Sequence, residues 1–451
     1  MKFNGLNVLV VGTGVSGIAA TQLLEKAGAN VFLYDSNQNA SPVEIAAKLN
    51  KAKDISIIVG ELSEKIKDKI ELVVLSPGVP TDVDFVIDFC ERNIPVWGEI
   101  ELAYAFSKGR IVGITGTNGK TTTTALTGQI MEEFFSSVFV VGNIGIPYTS
   151  MVTKTKSNSM TVAELSSFQL ETIKDFHPNV SMILNITPDH LNRHHTMDNY
   201  IDAKFNITLN QKEDDICVLN YEDEVLRARG EELRCKVIYF SSKRKLDNGL
   251  YLEGNDIVYS QSGKITKIID VDELQIIGEH NYENVMAASA AALGVGVSLE
   301  ALQSALRKFK AVEHRIEFVA EKNGVKYYND SKGTNPDAAI KAINAMRSTT
   351  VLIGGGYDKD SEFTEWINSF NGKVKKLVLI GQTATKIASD ADKCGFADYC
   401  FAKDLEEAVQ ICKDVAQPGE CVLLSPACAS WGMFKNFEER GNIFKELVNA
   451  M

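Results

Sequence analysis

A chain of 451 residues exceeds what one hydrophobic core organises, and it predicts about three domains. The net charge of −12 argues against nucleic acid as a partner, because phosphate backbones are held by basic surfaces. With 45% hydrophobic and 24% charged residues and no apolar run of about 18, a membrane span is not expected.

Eight cysteines are scattered without a C-x-x-C pair, as expected of reduced thiols in a cytoplasmic protein. The first residues run straight into a strand pattern, with no signal-peptide features. The expectation is a cytoplasmic monomer.

In chain order, short β-branched runs alternate with longer amphipathic stretches. NVLVVG, VFLYD, ISIIVG and LVVLSPG come first. IVGIT, VFVVG, TVAEL, SMILNIT and DICVLN follow, and VKYYND, TVLIGG, KLVLIG and CVLLSP fill the last third. Such alternation predicts an α/β chain of parallel strands with crossover helices. The pattern restarts before Gly113 and near Val312. This predicts three domains, 1–98, 99–311 and 312–451, each with a mainly parallel sheet. The first and last are Rossmann-like and the central one is a P-loop-type ATPase. Residues 243–267 read as antiparallel hairpins, with Asn-Gly and Ser-Gly turns.

The strongest motif is GITGTNGKTT, which follows a strand and opens a helix. Backbone N–H groups there form an anion nest at the positive helix end. Gly116 and Gly119 let the backbone approach phosphates, and Thr117, Asn118 and Thr122 of the same motif are expected to bind ATP with them. Lys120 supplies charge for the terminal phosphates, and the Thr121 hydroxyl can ligate Mg²⁺. The loop is a variant, with Ile114 where the usual first glycine would stand. An earlier glycine turn, Gly12, Gly14 and Gly17, precedes Asp35 at the end of the next strand. Alone it would suit an NAD-dependent oxidoreductase, but diphosphate of any nucleotide fits it equally well.

Three residues of the central region are candidate metal ligands: Glu164 closing a strand, His190 in a loop, and Lys204 on the next helix. Asp189 and His194 leave the imidazole or carboxylate choice open. Mg²⁺ prefers oxygen ligands and needs only one or two protein groups. Asn281 and Asn284 share a helix face and could read a purine edge, although Asn281 could equally cap the helix. In the last third, Asp330, Ser331, Lys332 and Thr334 follow one strand, Lys359 another and Ser425 a third. Ligands in doubly wound sheets bind beyond such strand ends. Asn335 and Pro336 read as N-cap and first residue of a helix, and Arg315 as a phosphate clamp.

The blocks GTNGKTT, ELSSFQL, NITPDHLNRH, HNYENVMAA, HRIEF, NDSKGTNP and LLSPACASWGMFKNFEERG, in this order, resemble the Mur ligase family over essentially the whole chain. The resemblance is to the branch that adds D-glutamate. It implies ATP-dependent ligation of D-glutamate to UDP-N-acetylmuramoyl-L-alanine through an acyl phosphate, in peptidoglycan precursor synthesis. Another Mur or folate-type ligase is the alternative.

Two Mg²⁺ ions are implied, with Lys204 carbamoylated as an oxygen ligand beside Thr121, Glu164 and His190. The resemblance further places Ser76, Gly78, Asn143 and His190 near the muramoyl substrate. Val15, Ser16, Asp35 and Ser36 fall near its uridine diphosphate. Lys332, Thr334, Lys359, Ser425 and Phe434 fall near D-glutamate or the reacting carboxylate, with Lys332 among the catalytic groups. Arg315, Asp330, Asn281 and Asn284 fall near the nucleotide. Family members often carry Ser where Thr121 stands, which supplies the same hydroxyl.

Overall fold

The computed structural model describes residues 2–49 and 55–451. The chain forms two compact units, one of Met1–Ile268 with Glu283–Ala305, the other of Ile269–Tyr282 with Leu306–Met451.

The first unit holds two sheets. β1 (Asn7–Val11), β2 (Asn30–Asp35), β3 (Ser56–Val59), β4 (Leu72–Leu75) and β5 (Val96–Gly98) pair in parallel in the order β3-β2-β1-β4-β5. Val8, Leu9, Val10 and Val11 are all buried, as an interior parallel strand covered on both faces requires. Gly12 turns the chain from β1 into the helix Val15–Lys26 at a φ of +98°. A side chain at Gly17 would collide with the Gly12 carbonyl, so this helix can lie on its strand only with glycine there.

The second sheet runs from β6 (Arg110–Thr115) through β7 (Val138–Gly142), β8 (Met160–Glu164), β9 (Val180–Ile183), β10 (Ile216–Asn220) and β11 (Lys236–Ser241). It continues into β12 (Gly249–Glu253), β13 (Asp256–Gln261) and β14 (Lys264–Asp270). Their order is β14-β13-β12-β11-β10-β9-β6-β8-β7. Strands β6 to β12 pair in parallel, and β12 and β13 form the expected antiparallel hairpin. The Ser262–Gly263 turn joins β13 to β14 with both residues at positive φ. The Asn-Gly pair instead leads into β12, and the first hairpin turns at Gly254 and Asn255.

One apolar core serves both sheets. It includes Val8, Leu24 and Leu33 of the first sheet's layers, and Ile183, Leu219 and Tyr148 of the second's. The helix Glu99–Tyr104 lies between them, and both of its glutamates are buried. Glu99 accepts from the Thr149 backbone and hydroxyl at 2.6 and 2.7 Å. Glu101 accepts from three successive amides, of Lys174, Asp175 and Phe176, at 2.8 to 3.0 Å.

The second unit carries β15 (Glu317–Lys322), β16 (Val325–Asn329), β17 (Thr350–Gly354), β18 (Val374–Leu379), β19 (Tyr399–Phe401) and β20 (Cys421–Leu424), in the order β15-β16-β20-β17-β18-β19. β15 runs antiparallel to β16, and the others are parallel. No helix of the described residues is long and apolar enough to cross a membrane.

Candidate active site

In the second sheet β6 lies between β8 and β9, so the loops leaving their carboxyl ends emerge side by side at a topological switch point. Residues 116–119 form the loop after β6, with Gly116 at φ +145° and Gly119 at +88°. The helix Lys120–Phe134 begins at Gly119 with no side chain capping it, which leaves its positive end for an anion.

The nest is smaller than the sequence suggests. The Thr117 and Asn118 amides donate to the Asn185 carbonyl and side-chain oxygen at 2.9 and 2.7 Å. Asn185 donates back to the Asn118 carbonyl at 3.1 Å, and the Thr117 hydroxyl reaches Tyr200 and Thr187. Lys120 Nζ rests on the Gly116 and Thr117 carbonyls at 2.9 and 3.0 Å. Thr121 and Thr122 follow in the first helical turn. Asn284 accepts from Thr123 Oγ1 at 3.1 Å and lies against Gly119, while Asn281 donates to Ile277 at 2.8 Å. The helix Glu279–Gly294 starts ahead of Asn281, so Asn281 is not its cap.

Lys204 Nζ donates to the same Gly116 carbonyl at 2.8 Å. It lies over the Tyr200 ring at 4.5 Å and is 2% exposed. Burial, followed by repulsion from Lys120, pulls its pKa down to about 7. Glu164 is buried at the end of β8, where Asn143 Nδ2 donates to it at 3.2 Å.

The two histidines left open by the sequence separate cleanly. His194 is buried between Ser167 Oγ at 2.9 Å and Glu171 at 3.2 Å, and desolvation holds its pKa down to about 4. It is a neutral structural imidazole. His190 keeps half of its side chain exposed, 3.4 Å from Asp189, and its backbone sits at a left-handed φ of +52°.

At the first sheet, Thr13 Oγ1 donates to Asp35, which also accepts from the Asn37 amide at 3.0 Å, just beyond Ser36. Val15 stands 73% exposed and is followed by Ser16 at the start of its helix. Ser76 Oγ is buried with no hydrogen-bond partner among the described residues, and Gly78 faces open space. Arg193 ties this region to the second sheet, donating to the Val79 carbonyl at 3.1 Å and Glu171 at 2.7 Å.

In the second unit the adjacent ends of β16, β20 and β17 bring Asp330, Ser425 and the Lys359 loop together. Asp330 is buried and accepts from Ser425 Oγ at 2.7 Å and the Ile316 amide at 3.3 Å. Burial pushes its carboxyl up to about 7 against the pull of Ser425 and Arg315. Arg315 Nε is buried without a hydrogen bond among the described residues.

Ser425 is fully buried and spends its hydroxyl on Asp330. Phe434 is partly buried and packs against the unit's core. The ring beneath Lys332 belongs to Phe437, 5.6 Å from Nζ. Thr334 sits in the turn before the helix Pro336–Ala345, whose N-cap is Asn335 as expected.

Two residues carry weight that the sequence did not flag. Arg440 is buried and donates to both oxygens of Ser331 at 2.7 and 2.9 Å and to the Cys428 carbonyl at 3.1 Å. Burial lowers its pKa to about 10. It fixes the turn after β16 to the turn after β20. Trp431 is the other, and Lys359 Nζ lies 4.7 Å from its ring.

Three family models match the chain in sequence. These are the Mur ligase MurD-like N-terminal domain over residues 6–98, the Mur ligase middle domain over 114–292, and the Mur ligase glutamate ligase domain over 314–428. The chain belongs to the Mur ligase family.

It is similar to the UDP-N-acetylmuramoylalanine--D-glutamate ligase of Lachnoclostridium phytofermentans, with 56% identity over 100% of this chain and 99% of the relative. The protein of the same name from Lachnospira eligens is 54% identical over 100% of both chains. Among solved structures, UDP-N-acetylmuramate-alanine ligase of Thermotoga maritima shares the fold, with a TM-score of 0.60 at 20% identity over 99% of each chain. The ADP complex of the MurF ligase from Thermotoga maritima does so with a TM-score of 0.60 at 16% identity, covering 99% of this chain and 96% of that one.

Mur ligase chemistry needs a divalent cation, and the donor set suits Mg²⁺. No group of three His, Cys, Asp or Glu able to enclose a metal occurs among the described residues. Mg²⁺ takes one or two protein groups and leaves other positions to phosphate and water. Thr121 carries a hydroxyl, Glu164 a buried carboxylate and His190 an accessible imidazole, which are donors of the kind such an ion accepts.

Proposed function

We infer that this chain joins D-glutamate to UDP-N-acetylmuramoyl-L-alanine at the expense of ATP, as a cytoplasmic step of peptidoglycan precursor synthesis. The observation that carries the reading is full-length identity of 45–56% to enzymes bearing that name. The glycine loop and buried Lys204 of the first unit support it.

A carboxylate is a poor acyl donor because oxide is a poor leaving group. Its oxygen attacks the γ-phosphorus of ATP, the bond from that phosphorus to the bridging oxygen breaks, and ADP departs. The D-glutamate amine then attacks the acyl carbon. Phosphate leaves with the bonding electron pair, and the nitrogen loses its proton. Lys120 leaves the loop carbonyls to meet the terminal phosphates, while the start of its helix holds them in line. Bound Mg²⁺ would supply charge neutralisation on the phosphate oxygens.

Thr121, Glu164 and His190 are the groups that would hold it. Lys204 with a carbamate would provide oxygen ligands for a second ion. Its low pKa supports this, because only a neutral amine adds CO₂. Asn281, Asn284, Arg315 and Asp330 are assigned to the nucleotide. Val15, Ser16, Asp35, Ser36, Ser76, Gly78 and Asn143 are assigned to the UDP substrate. Lys332 would stabilise charge on the reacting carboxylate. Thr334 and Lys359 would bind D-glutamate, with the Ser425 and Phe434 segment forming the wall behind them.

The test is phosphate release with UDP-N-acetylmuramoyl-L-alanine, ATP and a panel of D- and L-amino acids. Release should require the nucleotide substrate and respond to D-glutamate above the rest. Equal release without an acceptor, or with another amino acid alone, would overturn the assignment.

A further inference from the structure

The loop after β17 is joined to the turn after β20. The chain leaves β17 through Gly355 and Gly356, both at positive φ, and a side chain on Gly356 would collide with the Ala429 carbonyl. The Tyr357 amide donates to that carbonyl at 2.9 Å, in an isolated antiparallel bridge. Two residues on from each partner stand Lys359 and Trp431. The Trp431 ring is 53% exposed and takes the Tyr357 ring against it at 5.5 Å and 62°. Lys359 Nζ lies 4.7 Å from its centroid.

Lys359 has no hydrogen bond or ion pair among the described residues. The neighbouring carboxylate, Asp358, is taken by Lys386 at 3.0 Å. An indole face attracts an ammonium without neutralising it. A carboxylate in the same place would cancel the charge and compete with an incoming anion.

We propose that Trp431 is a positioning residue for amino-acid binding: its ring holds the Lys359 ammonium in place, still charged, for a carboxylate of the acceptor. This rests on the ligase reading, which gives Lys359 its ligand. It also accounts for a large aromatic side chain left in water beside the strand ends.

Steady-state kinetics with D-glutamate varied and the other substrates saturating tests the proposal. Trp431→Leu should raise KM for D-glutamate by about two- to fivefold, the range of an exposed cation–π contact, with kcat and the KM for ATP unchanged. Trp431→Phe, which keeps a ring face, should stay near the wild type. In a Lys359→Gln background, Trp431→Leu should add nothing, because the residue it acts through is gone.

Melting curves matching the wild type establish that each variant is folded. An unchanged KM in Trp431→Leu, or the same increment with and without Lys359, overturns the proposal alone. A wild type that ignores D-glutamate overturns the ligase reading and this proposal together.

Discussion

Lys204 shows how far a single position can depart from its sequence context. In YIDAKFN it looks like a solvated surface lysine, yet the fold buries it between the Tyr200 ring and the Gly116 carbonyl. Burial pulls its pKa down to about 7, so the neutral amine is far more accessible at pH 7 than in an ordinary lysine, which is almost wholly charged there. Lys204→Arg keeps the charge and cannot carry a stable carbamate. It should lose more than about tenfold in kcat while ATP still binds. Intact-mass measurement in bicarbonate, set against turnover, checks this, and an active wild type with no added carbamate mass would remove the role.

Asp330 makes a pH prediction. Its folded pKa of about 7 lies above its unfolded value, so the native state holds more protons between about pH 4 and 7. Its contribution to stability is therefore fully present below that window and is lost as pH rises through 7. Melting temperature should fall from pH 5 to pH 8, and Asp330→Asn should flatten that slope. An unaltered slope would show that Asp330 does not titrate there. The sequence marked Asp330 as a strand-end ligand but could not show its burial, because the segments that enclose it are far apart in the chain, and Ser425 and Arg315 among them pull the other way.

Among the elements, the long apolar runs were legible because buried parallel strands need no polar face. Short or mixed strands were not. β5 has three residues, and β15 and β19 sit at sheet edges with exposed, charged or aromatic positions. β11 reads KVIYFS, and its pairing depends on β10 rather than on its own pattern. The glycine turns carried more information than the strands. Gly17→Ala places a methyl against the Gly12 carbonyl, so the helix Val15–Lys26 must lift off β1. The expected loss is about 1–3 kcal/mol, measured by denaturant unfolding. A variant as stable as the wild type would mean the contact relaxes freely. In the last third, the motif SPACASWGMFKNF was legible as a site, but which of its rings met Lys332 was not. Phe434, which packs against the core, stands three residues before Phe437 at the start of the last helix.

At the scale of the molecule, separate family models match the first and middle domains that the sequence pattern suggested, and the two sheets there also share one apolar core. The segment around residues 95–109 joins them, with Trp97, Ile100, Leu102 and Ala103 inside that core. Its helix carries two glutamates that are wholly inside. Glu101 satisfies three amides at once, so Glu101→Gln should cost about 2–3 kcal/mol through the loss of a charged acceptor. Protection against hydrogen exchange should fall together in β1 and β6. Loss confined to one sheet would show that the two unfold independently.

A shared core also makes the first unit a fixed gauge. The glycine turn after β1 and the glycine loop after β6 stand on sheets that share this core, tied further by Arg193. On the ligase reading, that packing sets the span between them. A molecule anchored by a diphosphate at one end must have the right reach for its acid group to arrive at the other. Discrimination by length would then rest on the packing of two sheets, at positions that touch neither end of the substrate.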